Sequence, residues 1–260
     1  MAYADITIRD RNPVKRWIQR RRLSDALAVL SNTRFRDRPR ILDFGAGNGE
    51  LVRQMASIAP IAAWVYEPTP SLMAEAKENL SGLERVTFVE SLASVESAFF
   101  DYVFCLEVFE HLPEKETLAA IAEIRRLLKS SGVAVIGVPH ELFAPALFKG
   151  IFRMSRRYGD FDASPRHILA AAVGRPPLLR PTSEISPGLA FHFHHLGFDF
   201  RALEQKLRQH FKVEKKRFSP FPSLGAALNS EVYFILRLPS CHSGPLSASS
   251  ASTFQPRADA

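Results

Sequence analysis

The sequence predicts an α/β fold built on a mostly parallel sheet, and three observations predict it. From residue 40 to 139 short apolar runs of strand length alternate with amphipathic stretches of helical period. The first two of these runs end in acidic residues beside turn formers, ILDFGAG and AWVYEP. Near the end of the chain two strand-like runs, FKVEKKRF and EVYFILRL, are joined by SPFPSLGAALNS, which holds no crossover helix of adequate length, so they are expected to pair antiparallel.

The elements follow in order. Asn12-Pro13 reads as an N-cap and first helical position, opening a basic helix to about Leu30 with Val14, Trp17, Ile18, Leu23, Leu27 and Leu30 available for burial. ILDF, AWVY, RVTFV, DYVFCL and VAVIGVP are the strands, and ELVRQMASIA, SLMAEAKENL and KETLAAIAEIRRLLK are helices between them, a pitch that suits right-handed crossovers. After Pro139 the rhythm breaks into a Pro-, Phe- and Arg-rich stretch, residues 141–197, too long for an ordinary connection and read as an insertion above the strand ends that meets the acceptor. Its first helix carries Phe143, Leu147, Ile151 and Met154 on one face, read first as core packing, with Lys149, Arg153, Arg156 and Arg157 elsewhere. DFRALEQKLRQHF is the last helix, and the Ser/Ala-rich tail from Pro239 is expected to be disordered. The expected organisation is a basic helical extension (1–38), one main domain (39–238) with the insertion at 141–197, and a tail (239–260).

Composition bounds the function. A chain of 260 residues can bury one substantial core, and 46% hydrophobic with 23% charged residues is ordinary for a globular protein. No apolar run approaches the roughly 18 residues of a membrane span. The opening residues carry no apolar stretch of the secretory kind, Cys105 sits in an apolar run and Cys241 in the tail, so a cytoplasmic, disulfide-free protein is expected. The net charge of +7 favours anionic partners. A nucleic-acid partner would use the basic N-terminal helix, where Trp17 is the only aromatic residue from Pro13 to Arg34, sparse for base stacking.

The most informative segment is DFGAGNGE, Asp43 to Glu50, between a strand and a helix. Glycines at alternate positions let a ligand approach the main chain. A dinucleotide fingerprint would need Gly or Ala where Glu50 stands, and a carboxylate there would repel a pyrophosphate. S-adenosylmethionine has no phosphate and a cationic sulfonium, so acidic surroundings suit it. Asp43 can accept from its ammonium group, and Glu67, 24 positions on at the next strand end, can take both ribose hydroxyls.

DFGAGNGE, YEP, FDYVFCLEVFEHL and LLKSSGVAVIGVP, in that order over about residues 38 to 140, resemble the motif series of class I S-adenosylmethionine-dependent methyltransferases. The resemblance implies a seven-stranded Rossmann-like sheet with helices on both faces and an antiparallel last strand. It implies that Asp43, Gly45, Gly47 and Gly49 surround the methionine part of the cofactor and that Glu67 holds the ribose. Where many relatives carry an acidic adenine contact, this chain has Val89-Glu90-Ser91-Leu92, with Glu90 and Ser91 both candidates.

Methyl transfer from a sulfonium is an in-line displacement that needs orientation more than an enzyme nucleophile. Glu107-Val108-Phe109-Glu110-His111 stands at the carboxyl end of the fourth strand, where open α/β sheets bind ligands. Three readings apply to it. Glu107 and His111 can shape the pocket floor, or His111 can be the general base for a hydroxyl acceptor. In the third, E-x-x-E-H resembles the metal-binding segment of small-RNA 2′-O-methyltransferases and some quinone-pathway O-methyltransferases. There Glu107, Glu110, His111 and a downstream histidine, His195 among His192, His194 and His195, would hold Mg2+ or Mn2+. His140, after the fifth strand, could also face the pocket. The function expected is methyl transfer to a small-molecule or lipid-linked acceptor at oxygen. An anionic acceptor or a peripheral membrane contact is expected of the insertion's basic helix, while RNA methylation and non-catalytic cofactor binding are the rivals.

Overall fold

The chain lays down β1 (Arg40–Phe44), α1 (Glu50–Ile58), β2 (Ala62–Tyr66), α2 (Pro70–Asn79), β3 (Val86–Val89), β4 (Phe100–Leu106), α3 (Glu114–Leu127) and β5 (Leu128–Pro139). It continues with α4 (Phe143–Arg157), α5 (Pro165–Ala172), β6 (Ser183–Ser186), β7 (Leu189–Phe191), α6 (Phe200–His210), β8 (Lys212–Ser219) and β9 (Glu231–Arg237). The computed structural model describes Arg21 and residues 24–28, 38–186, 188–226 and 228–239.

The seven-stranded sheet has the order β3-β2-β1-β4-β5-β9-β8. The first five strands pair parallel, and β9 runs antiparallel between β5 and β8. The antiparallel pair expected at the end of the chain is therefore present. Buried parallel strands read as continuous apolar runs because both faces are covered. In β1, Ile41 packs with Val52 and Met55 of α1 on one face, while Leu42 joins Ile121, Ile124 and Leu207 on the other. α3 buries Thr117, Ala120, Ile121 and Ile124, the spacing of one helix face. α6 starts at Asp199, whose side chain accepts from Arg201 N at 2.8 Å and satisfies a first-turn donor.

The chain leaves β1 toward β2 and β3 on one side and returns to β4 and β5 on the other. The gap between the carboxyl ends of β1 and β4 is therefore the topological switch point, the usual ligand crevice of such sheets.

The inserted stretch forms a lobe of α4, α5 and the β6–β7 hairpin, with its own small core of Ala146, Ile168, Ala171 and Leu196. The helices touch at Gly150, where any Cβ would meet Ile168 at 2.5 Å. Of the face of α4 expected to be core, only Met154 packs against this cluster. Pro145, Ala146 and Gly150 are buried, whereas Ile151 is 53% exposed, with Phe143 and Leu147 also exposed. The cause is electrostatic: the buried carboxylates of Glu141 and Asp162 draw Lys149, Arg153 and Arg157 inward, because a buried charge needs a partner.

Arg21 and residues 24–28 are helical, with Leu27 buried and Asp25 accepting from Ser219 Oγ at 2.7 Å. The rest of the expected N-terminal helix, and the tail from residue 240 with Cys241, lie outside the described residues. Cys105 is buried and free. Among the described residues no helix is long and apolar enough to cross a membrane.

Candidate active site

The glycine loop hangs between β1 and β2. Gly45 N and Ala46 N both donate to Tyr66 O, at 2.8 and 3.0 Å, tying the end of β1 to the end of β2. Glu67 then braces the loop: Oε2 accepts from Gly47 N at 2.9 Å and Oε1 from Thr69 N at 2.8 Å. Each oxygen keeps a lone pair, so the carboxylate can still accept from a ligand.

The glycines serve different ends. Gly47 has φ +55°, and nothing lies within 4 Å of where its Cβ would be, so the space in front of it is open. Gly49 has φ +79° and is the N-cap of α1, but its missing side chain faces Leu80 and Ala76 of α2, with Leu80 Cδ1 2.7 Å from the Cβ position. That position favours close packing of helix on helix. Gly45 is backed by Val108, beyond β4.

Asp43 is 3% exposed, and its Oδ2 has no hydrogen-bond partner among the described residues. Burial first, and the nearby Glu67 charge second, raise its pKa to about 7. A buried carboxylate with an open acceptor, beside an open cradle at Gly47, suits a cationic ligand. Glu90 and Ser91 are exposed just beyond β3.

Beyond β4 the chain turns sharply. Glu107 has φ +57°, rare for a residue with a side chain, and its N–H donates to Gly137 O at 2.9 Å. A short 3-10 turn, Phe109–His111, follows. The lobe clamps this turn. Phe191 stacks on His111 with ring centroids 4.3 Å apart and planes 9° apart, and His192 N donates to His111 O at 2.8 Å. His111 Nδ1 lies 2.7 Å from His192 O, so Nδ1 carries the proton and Nε2 presents a lone pair. That Nε2 is 3.3 Å from His195 Nε2 and 3.8 Å from Glu110 Oε1. Burial lowers the His111 pKa, partly offset by the His192 carbonyl, and burial pushes His195 down to about 3. Both imidazoles are neutral near neutral pH.

Of the residues expected to gather here, Glu110, His111 and His195 converge, with ligand atoms all within 4.8 Å of one another. Glu107 is not in that group. E-x-x-E places two side chains on one face only if both stand on a helix, and Glu107 precedes the turn in a left-handed conformation. His194 instead faces Asp162 Oδ1 at 3.4 Å, and His192 Nδ1 bonds Pro181 O at 3.0 Å. His140 is buried among Phe143, Phe200 and Phe218 and bonds Asn229 O at 2.9 Å, so it fastens β5 to the loop before β9 rather than facing the crevice.

Several participants escaped the sequence reading. Arg180 donates to Glu110 O at 2.6 Å and to His194 O, latching the lobe onto the turn after β4. Glu141, 1% exposed, pairs with Lys149 at 2.8 Å and Arg153 at 2.9 Å. Burial alone would raise its pKa, but these cations outweigh burial and hold it at about 2. Three of the four basic residues expected to meet an anionic acceptor are thus paired with acids of the chain, Arg157, half exposed, with Asp162 at 2.8 Å. Lys149 and Arg153 had a signal in Glu141 just ahead of them; Arg180, in a Pro-rich run, had none.

Residues 15–170 match a family model described as "Methyltransferase domain". A ubiquinone biosynthesis O-methyltransferase of Xanthomonas oryzae pv. oryzae is 39% identical over 101 residues, covering 36% of this chain and 40% of the relative, so the match spans less than half of that protein. Among solved structures, the PH0226 protein from Pyrococcus horikoshii OT3 superposes with a TM-score of 0.57 at 14% identity, covering 91% of this chain and 96% of its own. The N-methyltransferase NodS from Bradyrhizobium japonicum WM9, solved with S-adenosyl-L-homocysteine, gives 0.54 at 15% identity, covering 88% and 90%. These two show the fold. With a family match over more than half its length and this sheet order, the chain belongs to the methyltransferase-domain family and is a class I S-adenosylmethionine-dependent methyltransferase.

Proposed function

We propose that this enzyme methylates a hydroxyl oxygen of a small or lipid-linked acceptor held between the glycine loop and the inserted lobe, with His111 taking the proton. The observation that carries the reading is the fixed tautomer of His111: Nδ1–H is committed to the His192 carbonyl, and a neutral Nε2, which accepts from His195 Nε2 at 3.3 Å, is the ring's acceptor beyond the end of β4 and would exchange that partner for the hydroxyl. That the Xanthomonas relative is named an O-methyltransferase supports the choice of oxygen.

The bound cofactor supplies a methyl group on a sulfonium leaving group. The chain's residues do the rest. Asp43 accepts from the methionine ammonium, Gly47 leaves room for the methionine part, and Glu67 accepts from the ribose hydroxyls, with Glu90 and Ser91 beside the adenine. Gly45 and Gly49 shape the loop. Glu107, held in its left-handed conformation, lines the acceptor side. Phe191 and the His192 carbonyl fix the plane of His111, so that Nε2 accepts the hydroxyl proton as the oxygen attacks.

A second reading is favoured by the convergence of Glu110, His111 and His195. Two neutral imidazoles and one carboxylate suit Mn2+ better than Mg2+, which prefers oxygen donors. Such an ion would lower the pKa of the acceptor hydroxyl.

His111→Gln tests both. Loss of a general base is expected to lower kcat by roughly a hundred-fold or more, with S-adenosylhomocysteine affinity unchanged and wild-type turnover surviving a chelator. Unchanged kcat, or methyl found on nitrogen, overturns the proposal; turnover lost to a chelator and restored by Mn2+ moves His111 to the second reading.

A further inference from the structure

Helix α4 is inside out for a helix on a water-facing surface. Its inner side carries Arg153 and Lys149, both bonded to Glu141, while its outer side carries apolar residues. Phe148 is 65% exposed, Ile151 53% and Phe152 51%, one continuous stripe at i, i+3 and i+4 spacing. Tyr158, just past the helix, is also exposed, and Leu178 and Leu179 project almost fully from the loop that Arg180 latches beside the site. Scattered surface apolar residues need no explanation; a stripe of large ones on a helix that turns Lys149 and Arg153 inward does.

The rim of this surface is basic. Arg156, exposed, has its guanidinium 4.2 Å from the Phe152 ring centroid, and Arg166 and Arg175 are exposed on and beyond α5. Lys149, Arg153 and Arg157 are taken up by Glu141 and Asp162 and Arg180 by the turn after β4, so Arg156, Arg166 and Arg175, with exposed Asp160 opposing them, set the sign of the rim. A second copy of the lobe would bring two such basic surfaces together. Residues 1–38, with ten Lys and Arg against four Asp, carry the same sign. An anionic lipid surface complements both features at once: acyl chains for the stripe, headgroups for the arginines.

We propose that α4 and the Leu178–Leu179 loop dock the enzyme onto anionic lipid bilayers, peripherally, with the lobe as the membrane-facing side. Because α4 begins just beyond the carboxyl end of β5 and Arg180 bonds the turn after β4, docking would set the mouth of the crevice near the bilayer. The inference does not rest on the identity of the acceptor or on the role of His111.

Flotation of the full chain with vesicles tests it, comparing phosphatidylcholine containing phosphatidylglycerol with phosphatidylcholine alone. Wild type is expected to float with the anionic vesicles and not with the neutral ones. F148S/I151S/F152S should lose flotation, and R156E, R166E and R175E should each weaken it by about five-fold, all with S-adenosylhomocysteine binding retained as the check on folding. Failure of wild type to float, equal flotation on neutral vesicles, or unchanged flotation of the folded variants overturns the proposal. So does light scattering that shows a wild-type dimer converted to monomer by F148S/I151S/F152S, which would assign the stripe to a second copy.

Discussion

Asp43 and Glu141 are both buried carboxylates at the carboxyl edge of one sheet, 3% and 1% exposed, yet they stand in opposite electrostatic states. Asp43 has an unpartnered oxygen and a pKa raised to about 7; Glu141 has two cations and a pKa held at about 2. The difference separates the two sides of the crevice. On the glycine-loop side a buried acid keeps an open oxygen, a cost that a cationic ligand would relieve under the proposed reading. On the lobe side Glu141 and Asp162 are paired with cations of the lobe itself, which fastens α4 and the short turn before α5 to β5 and leaves few cations to meet an anionic acceptor.

The sharpest way to break this contrast is Glu141→Gln. Removing one partner of a buried ion pair leaves Lys149 and Arg153 uncompensated, and we expect a loss of about 3 kcal/mol in denaturant unfolding. The sign with pH also differs between the two acids. Glu141, depressed, contributes stability that is full above its ordinary value of 4.5 and lost as pH falls through about 2. Asp43, raised, contributes stability that is full below its ordinary value of 3.8 and lost as pH rises through about 7. Glu141→Gln should therefore flatten the acid limb of stability and leave the Asp43-linked fall toward neutrality untouched; an unchanged acid limb would remove Glu141 from the account.

A smaller effect sharpens the other side. Glu67→Ala removes the brace under Gly47 together with the proposed ribose contact, and calorimetry should show S-adenosylhomocysteine binding weakened by roughly 1.5 to 3 kcal/mol. Unchanged affinity would mean that the loop holds itself and the ribose lies elsewhere.

The placement of the proposed cofactor residues was legible in the sequence because its signals are local. Asp43, the glycines and Glu67 sit at strand ends defined by short apolar runs, and the spacing from strand to turn to helix is carried by adjacent residues. The acceptor side was legible only in part. His195 meets His111 across 84 positions, and its partnership could be guessed only from residue type. The pairing of Glu107 with Glu110 failed because one left-handed residue breaks helical spacing, and an amino-acid string does not record φ. The apolar face of α4 was read as Phe143, Leu147, Ile151 and Met154, but Met154 packs inward and the exposed stripe is Phe148, Ile151 and Phe152, because the rotation of the helix depends on Glu141 and Asp162, lying before and after it.

The central claim is that Asp43 is held ready, at an energetic cost, for a cationic part of the cofactor. Calorimetry of S-adenosylhomocysteine binding, run about one unit below the Asp43 pKa of about 7 in buffers of different ionisation enthalpy, tests it directly. Free Asp43 is mostly protonated there and the bound form ionised, so binding should release close to one proton and weaken by up to about ten-fold per pH unit on further acidification. Both signatures should vanish in Asp43→Asn. Binding without proton release in the wild type, or the same release and affinity in Asp43→Asn, would contradict the account.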